Sequence, residues 1–229
     1  MAEKSNKPTG TDLENVQEVL TKSEQFIEKY QKQILIGLAV VVIAVSGGMA
    51  FKYAYLKPKE EKAEAAMYKC EIFFQQDSFK LALNGNGADV IGFEGVIDEY
   101  GITKTSNVAK FYAGICHKNL GDYAKAIDYL SDFSSDDKML KPAAISAIGD
   151  CQVEMGNVAD AAESFEKAAK VANNELLSPI NLKKAGLAYE NLKKFDKAIE
   201  VYTTIKEKYF NTQEAADIDK YIERAKLNQ

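Results

Sequence analysis

Hydrophobic and polar positions follow three different rules along this chain. Between Leu13 and Ile34, apolar or small residues recur at Leu13, Val16, Leu20, Ser23, Ile27, Tyr30 and Ile34, in alternating steps of three and four. That spacing is the seam of an amphipathic helix. From Ile34 to Phe51 the pattern gives way to eighteen residues, ILIGLAVVVIAVSGGMAF, without a charge. Past Lys57-Pro58 the chain becomes amphipathic again, in helical segments punctuated by Gly, Asn and Asp.

The uncharged run predicts a spanning helix over 34–51, because eighteen residues at about 1.5 Å each extend roughly 27 Å, close to the ~30 Å hydrocarbon core of a bilayer. A buried helix of a water-soluble core would carry a polar stripe, and this run has only Ser46. Thirty-three residues precede the run, it exceeds the usual ~7–15 residues of a signal-peptide core, and the first Cys is Cys70. These features predict an uncleaved signal anchor and a single-pass membrane protein. The polar segment 1–33 has Thr11-Asp12-Leu13-Glu14 near its middle, a capping box that predicts a helix starting near Asp12 and entering the span. Its seam, residues 13–34, with Ser at one position, reads first as a helix lying on the bilayer or fraying in solvent, and second as one that pairs with a second copy of the chain or with a partner's helix. Lysines at 22, 29 and 32 precede the run and those at 52, 57, 59 and 62 follow it. The positive-inside rule thus tilts a cytoplasmic C-terminal side by one charge.

Three segments of the remainder align: AGICHKNLGDYAKAIDYL from Ala113, IGDCQVEMGNVADAAESF from Ile148 and AGLAYENLKKFDKAIEVY from Ala185. Gly114, Gly149 and Gly186 coincide, as do Ala126, Ala161 and Ala198, and as do Leu130, Phe165 and Tyr202. Small residues at two fixed places with a large one four later, at a period near ~34, form the tetratricopeptide pattern. The physical reason is close approach of two facing helices. Gly121 and Gly156 should end the first helix of their hairpins in the left-handed conformation, with Asp122 and Asn157 capping the second; Lys193 and Lys194 replace this pair in the third repeat.

The expected fold is therefore all-α: one N-terminal transmembrane helix, then an α-solenoid of tetratricopeptide hairpins. Residues 58–106 form a degenerate first repeat, with a flexible insertion at Leu83–Asp89; 107–211 form three repeats; 212–229 form a capping helix beginning at Thr212, with Ile218, Tyr221, Ile222 and Ala225 inward.

Charge and chemistry narrow the function. Lys and Arg total 29 against 34 Asp and Glu, a net charge of −5, which disfavours nucleic acid as a partner. The single His, His117, reads as a half-buried packing residue. No metal, nucleophile or phosphate-loop motif is present. No cofactor and no catalytic activity are expected. Cys116 and Cys151 share one repeat position, too far apart for a disulfide across neighbouring helices about 8–10 Å apart, and so should be buried free thiols. Free thiols are unusual in an oxidising compartment.

In a stack of this kind the first helices line a concave groove. The pattern places Phe111, Ile115 and Lys118 there from the first repeat, Asp150 and Val153 from the second, and Ile180, Lys183, Leu187 and Asn191 from the third. Phe111, Ile115, Ile180 and Leu187 are the apolar anchors. Clamping a C-terminal carboxylate would need clustered basic and amide groups; Asp150 and Glu154 oppose it, so an extended or helical peptide with apolar side chains fits better.

From about Glu60 to Leu227 the chain resembles bacterial tetratricopeptide proteins anchored by one N-terminal helix, and in particular ancillary subunits that work beside the Sec translocon and periplasmic chaperones. The stretches GFEGVIDEYGITKTSNVAKFYAGIC, SAIGDCQVEMGN and KKAGLAYE look like a version common in Bacteroidetes. The resemblance implies a repeat domain on the periplasmic side of the inner membrane and protein partners in membrane or envelope complexes. The leading expectation is a non-catalytic anchored scaffold. The alternative is an oligomeric assembly factor whose repeats face the cytoplasm.

Overall fold

A computed structural model describes residues 10–229, with side chains described at Glu24 and from Phe26 onward. The Thr11–Glu14 capping box and the seam positions Leu13, Val16, Leu20 and Ser23 lie outside the described side chains. The chain divides into two compact units, with the boundary between Lys57 and Pro58.

In the first unit, α1 (Gly10–Ala50) is one helix of 41 residues, and Phe51–Leu56 continue it as a π-helix. Every large apolar side chain of the 34–51 run is exposed. Among the described residues one helical stretch is long and apolar enough to cross a membrane, and none of its apolar window is buried.

The second unit is a succession of antiparallel helices. It begins with α2 (Lys57–Gln75), α3 (Phe79–Asn84) and α4 (Gly92–Tyr100). The hairpins α5–α6 (Lys104–Asn119, Tyr123–Asp132), α7–α8 (Leu140–Glu154, Val158–Ala172) and α9–α10 (Leu177–Asn191, Phe195–Lys208) follow. α11 (Ile218–Leu227) closes the chain. From α3 onward consecutive helices pack together, and each of the first helices α5, α7 and α9 also touches the next. This is an all-α stack of tetratricopeptide-type hairpins.

Each hairpin closes by the same contact. A Cβ added at Gly114 would lie 2.5 Å from Leu130 Cγ, and one at Gly149 would lie 2.6 Å from Phe165 Cε1. One at Gly186 would fall on the Tyr202 ring. Ala126, Ala161 and Ala198 are fully buried on the facing helices. The alignment of glycine with a large side chain sixteen residues later thus records a knob seated on a bare backbone.

The turns between the two helices of a hairpin are equivalent despite different residues. Gly121 (φ 82°), Gly156 (φ 79°) and Lys193 (φ 57°) are all left-handed. In each, the next amide donates to a carbonyl five residues back: Asp122 to His117 at 2.9 Å, Asn157 to Gln152 at 2.8 Å and Lys194 to Tyr189 at 2.8 Å. The lysine turn is as fully hydrogen-bonded as the glycine ones, so its conformational cost is borne by the surrounding packing. Asp122 and Asn157 occupy the N-cap positions expected of them, but neither side chain caps. The Asp122 carboxylate instead lies 3.6 Å from His117 Nδ1 and 3.4 Å from Lys125 Nζ.

The first helices start differently. Thr103 caps α5, its hydroxyl oxygen accepting from Ser106 N at 3.0 Å. For α7 the Asp137 carboxylate accepts from the amides of Met139 and Leu140, and for α9 the Asn174 amide oxygen accepts from Leu176 and Leu177. Those two Asp137 bonds hold its carboxyl below the usual range. Pro142 and Pro179 sit in the first turns of α7 and α9, where an amide has no intrahelical acceptor to lose.

Two expectations about the irregular segments require correction. The insertion at Leu83–Asp89 is structured: α3 claims its first two residues, with Ala82 and Leu83 buried. Asn86 then organises the loop, its side-chain oxygen accepting from the amides of Ala88, Asp89 and Val90. Residues 212–217 are turns, and the last helix starts at Ile218 instead of Thr212. Ile218, Ile222 and Ala225 are buried and Tyr221 is packed against the same core.

Candidate functional site

The touching first helices α5, α7 and α9 form one face of the stack. The second and third repeats, with Lys118 and Tyr123 of the first, line a groove there of about 550 Å³. Five expected positions line it: Lys118, Asp150, Val153, Leu187 and Asn191. Phe165, Val158 and Ala188 supply further apolar lining. A smaller hollow of about 290 Å³ adjoins it, sharing Lys184 and Leu187, and holds Ile180 and Lys183 beside Asp217.

Phe111 and Ile115 line neither space. They pack against the cluster of Leu130, Ala144 and Ala147, and the Phe111 ring centroid is 5.5 Å from that of Phe133. The small side chains of α7 leave room between α5 and α7, and these two residues fill it. They help hold the first two repeats together.

Charges in the groove are arranged as a ladder at the repeat period. Asp150 on α7 accepts from Lys184 Nζ on α9 at 2.7 Å and faces Lys118 Nζ on α5 at 3.6 Å. Lys184 also reaches Ser146 Oγ at 3.4 Å and stands 5.2 Å from the Phe165 ring centre. Sequence reading missed Lys184; its separation of 34 from Asp150, one repeat, was the available signal. Lys183 pairs with Asp217 at 2.9 Å and lies 4.4 Å from the Tyr221 ring centre. Burial works to lower the Lys183 pKa, but Asp217 and Tyr221 outweigh it and raise the value. Lys183 is committed to the terminal segment and is no free receptor for a carboxylate. The Glu154 and Asn191 side chains line the groove without an ion pair or hydrogen bond among the described residues.

A second network closes the far end. Glu190 accepts from the Tyr202 hydroxyl at 2.9 Å and pairs with Arg224 of α11 at 2.9 Å. Burial, then Glu190, pushes the Tyr202 phenol far above its ordinary range. Tyr189 makes a comparable short bond to Glu166.

His117 is buried, not half-buried. Its Nε2 is 3.1 Å from Glu94 of α4, and its ring stacks on Tyr129 of α6 with centroids 5.3 Å apart. Tyr129 donates to the same Glu94 oxygen at 3.1 Å, and burial with Glu94 pushes its phenol up to about 12. This cluster joins the degenerate hairpin to the first repeat. Cys70, Cys116 and Cys151 are free and buried. Burial raises the Cys116 thiol to about 12 and the Cys151 thiol to about 11. Among the described residues no group of three or more His, Cys, Asp or Glu could hold a metal.

The tetratricopeptide repeat family model matches residues 108–136 and 184–212. These stretches cover most of the first and third hairpins, and the second reproduces their glycine-on-ring contact through Gly149 and Phe165. Tetratricopeptide repeats as a class bind other proteins and are typically non-catalytic. No curated protein matches the chain.

Proposed function

We propose that this protein is a non-catalytic scaffold anchored in the bacterial inner membrane by 34–51, which holds a protein partner in the groove between its second and third repeats. The observation that carries this reading is the groove itself, with Val153, Phe165 and Leu187 as apolar lining and the free polar groups of Glu154 and Asn191 beside them. That lining suits a peptide presenting apolar side chains, extended or helical. The complete exposure of the 34–51 side chains supports the anchor, because such a surface is stable only in a non-aqueous surrounding or against a partner.

The finer reading places the repeats in the periplasm, as an ancillary factor beside the Sec translocon or periplasmic chaperones. It rests on the resemblance of layout and motifs. The three free thiols weigh less against an oxidising compartment than their number suggests, since all are buried and the thiols of Cys116 and Cys151 are held protonated. The alternative, an oligomeric assembly factor with cytoplasmic repeats, draws on the one-lysine bias around the span.

Protease treatment of spheroplasts separates the two: digestion of the repeat domain supports the periplasmic reading, and survival sinks it. Affinity purification of the full chain with Leu187→Asp and Val153→Asp tests the scaffold. Partners recovered with the wild-type chain should be lost, and undiminished recovery would mean that the groove is not the binding surface.

A further inference from the structure

The loops that join one hairpin to the next, at the opposite ends of the helices from the Gly121 and Gly156 turns, each expose a large apolar residue. They are Ile102 (54% exposed), Met139 (44%), Leu176 (58%) and Phe210 (67%). Topology puts these loops along one edge, since the start of each first helix and the end of each second helix lie together. Direct contacts confirm it. The Asn107 side chain at the start of α5 exchanges hydrogen bonds with the Ser134 backbone at 2.7 and 3.0 Å. Asn174 reaches the Lys138 carbonyl at 3.4 Å. Lys208 reaches Asn173 at 2.9 Å.

The start of α2 is held at this same edge. The Glu60 carboxylate accepts from Lys104 N at 2.9 Å, Thr105 N at 2.8 Å and Thr105 Oγ1 at 2.7 Å. Ile102 is two residues from this clamp, and the uncharged run ends at Phe51, nine residues before Glu60. The chain therefore joins the repeat stack on this edge, where four large apolar residues are exposed against Leu120 (47%) and Met155 (46%) on the opposite edge. Apolar side chains projecting singly from loops gain by entering the headgroup–acyl boundary, and a tether of a few residues makes that encounter intramolecular.

Resting on the proposed membrane anchor, we infer that this edge, through Ile102, Met139, Leu176 and Phe210, seats in the interface of the bilayer that holds 34–51. Acidic Asp136, Asp137 and Glu175 are interspersed with Lys138, Lys141 and Lys208 on these loops, so the attraction is apolar, and added salt leaves it unchanged.

The chain has no Trp, so single-tryptophan variants report position directly. Leu176→Trp, Met139→Trp, Met155→Trp and Val41→Trp would be made in the full chain. Each would be reconstituted in phosphatidylcholine–phosphatidylglycerol vesicles containing lipids with a nitroxide either near the glycerol, which reports positions 176, 139 and 155, or at the end of the acyl chain, which reports position 41 near the centre of a core about 30 Å thick. Met155, 46% exposed at the other ends of the helices, is the water-facing control. A ring seated roughly 5–10 Å into the interface should lose about half its fluorescence at positions 176 and 139 while Met155→Trp keeps its own. Circular dichroism confirms that each variant folds. If Val41→Trp is quenched while the 176 and 139 variants match Met155→Trp, the edge proposal is overturned and the anchor stands. If Val41→Trp is unquenched, the anchor fails and the edge proposal falls with it. Quenching at 176 and 139 that disappears at high salt would also overturn it, since the attachment would then be ionic.

Discussion

Large apolar side chains between Ile34 and Phe51 are 46% to 70% exposed, whereas Phe165, Tyr202 and Ile205 in the repeats are exposed by 3% or less. Both regions are helical, and both draw on Ile, Val and Leu. In the repeats each large side chain has a receptor opposite it: Leu130 has Gly114, Phe165 has Gly149 and Tyr202 has Gly186. Among the described residues of the first unit, Gly37, Gly47 and Gly48 have nothing within 4 Å of an added Cβ. A glycine means close packing only where another helix uses the space. The same residue types therefore build a self-sufficient core in one region and a surface that demands an external solvent in the other.

The largest test of this contrast is a charge in the run. Ile43→Arg places a guanidinium near the centre of the proposed span, at about 2.5–3.5 kcal/mol against insertion. Membrane fractionation should show the variant shifted to the soluble or degraded fraction, while helicity of the repeat domain persists. Unchanged membrane association would erase the distinction between the two regions.

The converse test loads the core. Gly186→Val drives a branched side chain into the fully buried Tyr202 ring, and overpacking of this kind costs about 1–3 kcal/mol or more. Thermal melts should show a lower Tm with membrane association intact, whereas Gly47→Val should leave the melt unchanged. Equal effects at the two sites would mean that the run also packs against protein.

Alkali should distinguish the regions next. The folded pKa of Cys116, about 12, and of Cys151, about 11, lie above their ordinary value of 9.0 because burial disfavours the thiolate. The folded state thus binds more protons than the unfolded one. The resulting stability is fully present below about pH 9 and is lost as pH rises to about 11–12. Urea melts should weaken across that window, less so in the Cys116→Ala variant. A pH-independent midpoint from 9 to 11 would contradict it.

The smallest effects are at the turns. Lys193→Gly should stabilise the third hairpin by about 1 kcal/mol, since a left-handed L-residue costs roughly 1–2 kcal/mol. Gly121→Ala should cost a similar amount in the first, and a Tm that falls in Lys193→Gly would show that the lysine side chain contributes more than its backbone loses.

How much of this was legible beforehand depended on whether a feature is written locally. Gly114, Gly149 and Gly186 repeat with their partners, so the hairpins could be read directly. The left-handed turns at Gly121 and Gly156 were equally plain, but Lys193 hid the third because its conformation is imposed by α9 and α10. Phe111 and Ile115 looked like groove residues because their helix face was right. What the pattern did not register is that Ala144 and Ala147 on α7 are too small to keep them out. Lys184 escaped notice because its role depends on Asp150, one helix away. The insertion after α2 contained its own organiser in Asn86, yet an asparagine between two glycines reads as a turn until its three amide donors are seen.

The Glu60 clamp has a mechanical meaning. Tension on the chain ahead of Pro58 is resisted at this carboxylate, whose three bonds fasten α2 to the start of α5. Burial works to raise the Glu60 pKa, but the Thr105 hydroxyl and the two amides outweigh it and lower the value. The attachment therefore ionises at lower pH than an ordinary glutamate, and its charged grip is lost only as pH falls through that lowered value. Load would be shared between two hairpins before any helix could be peeled away, which makes Glu60 the strain relief of the tether.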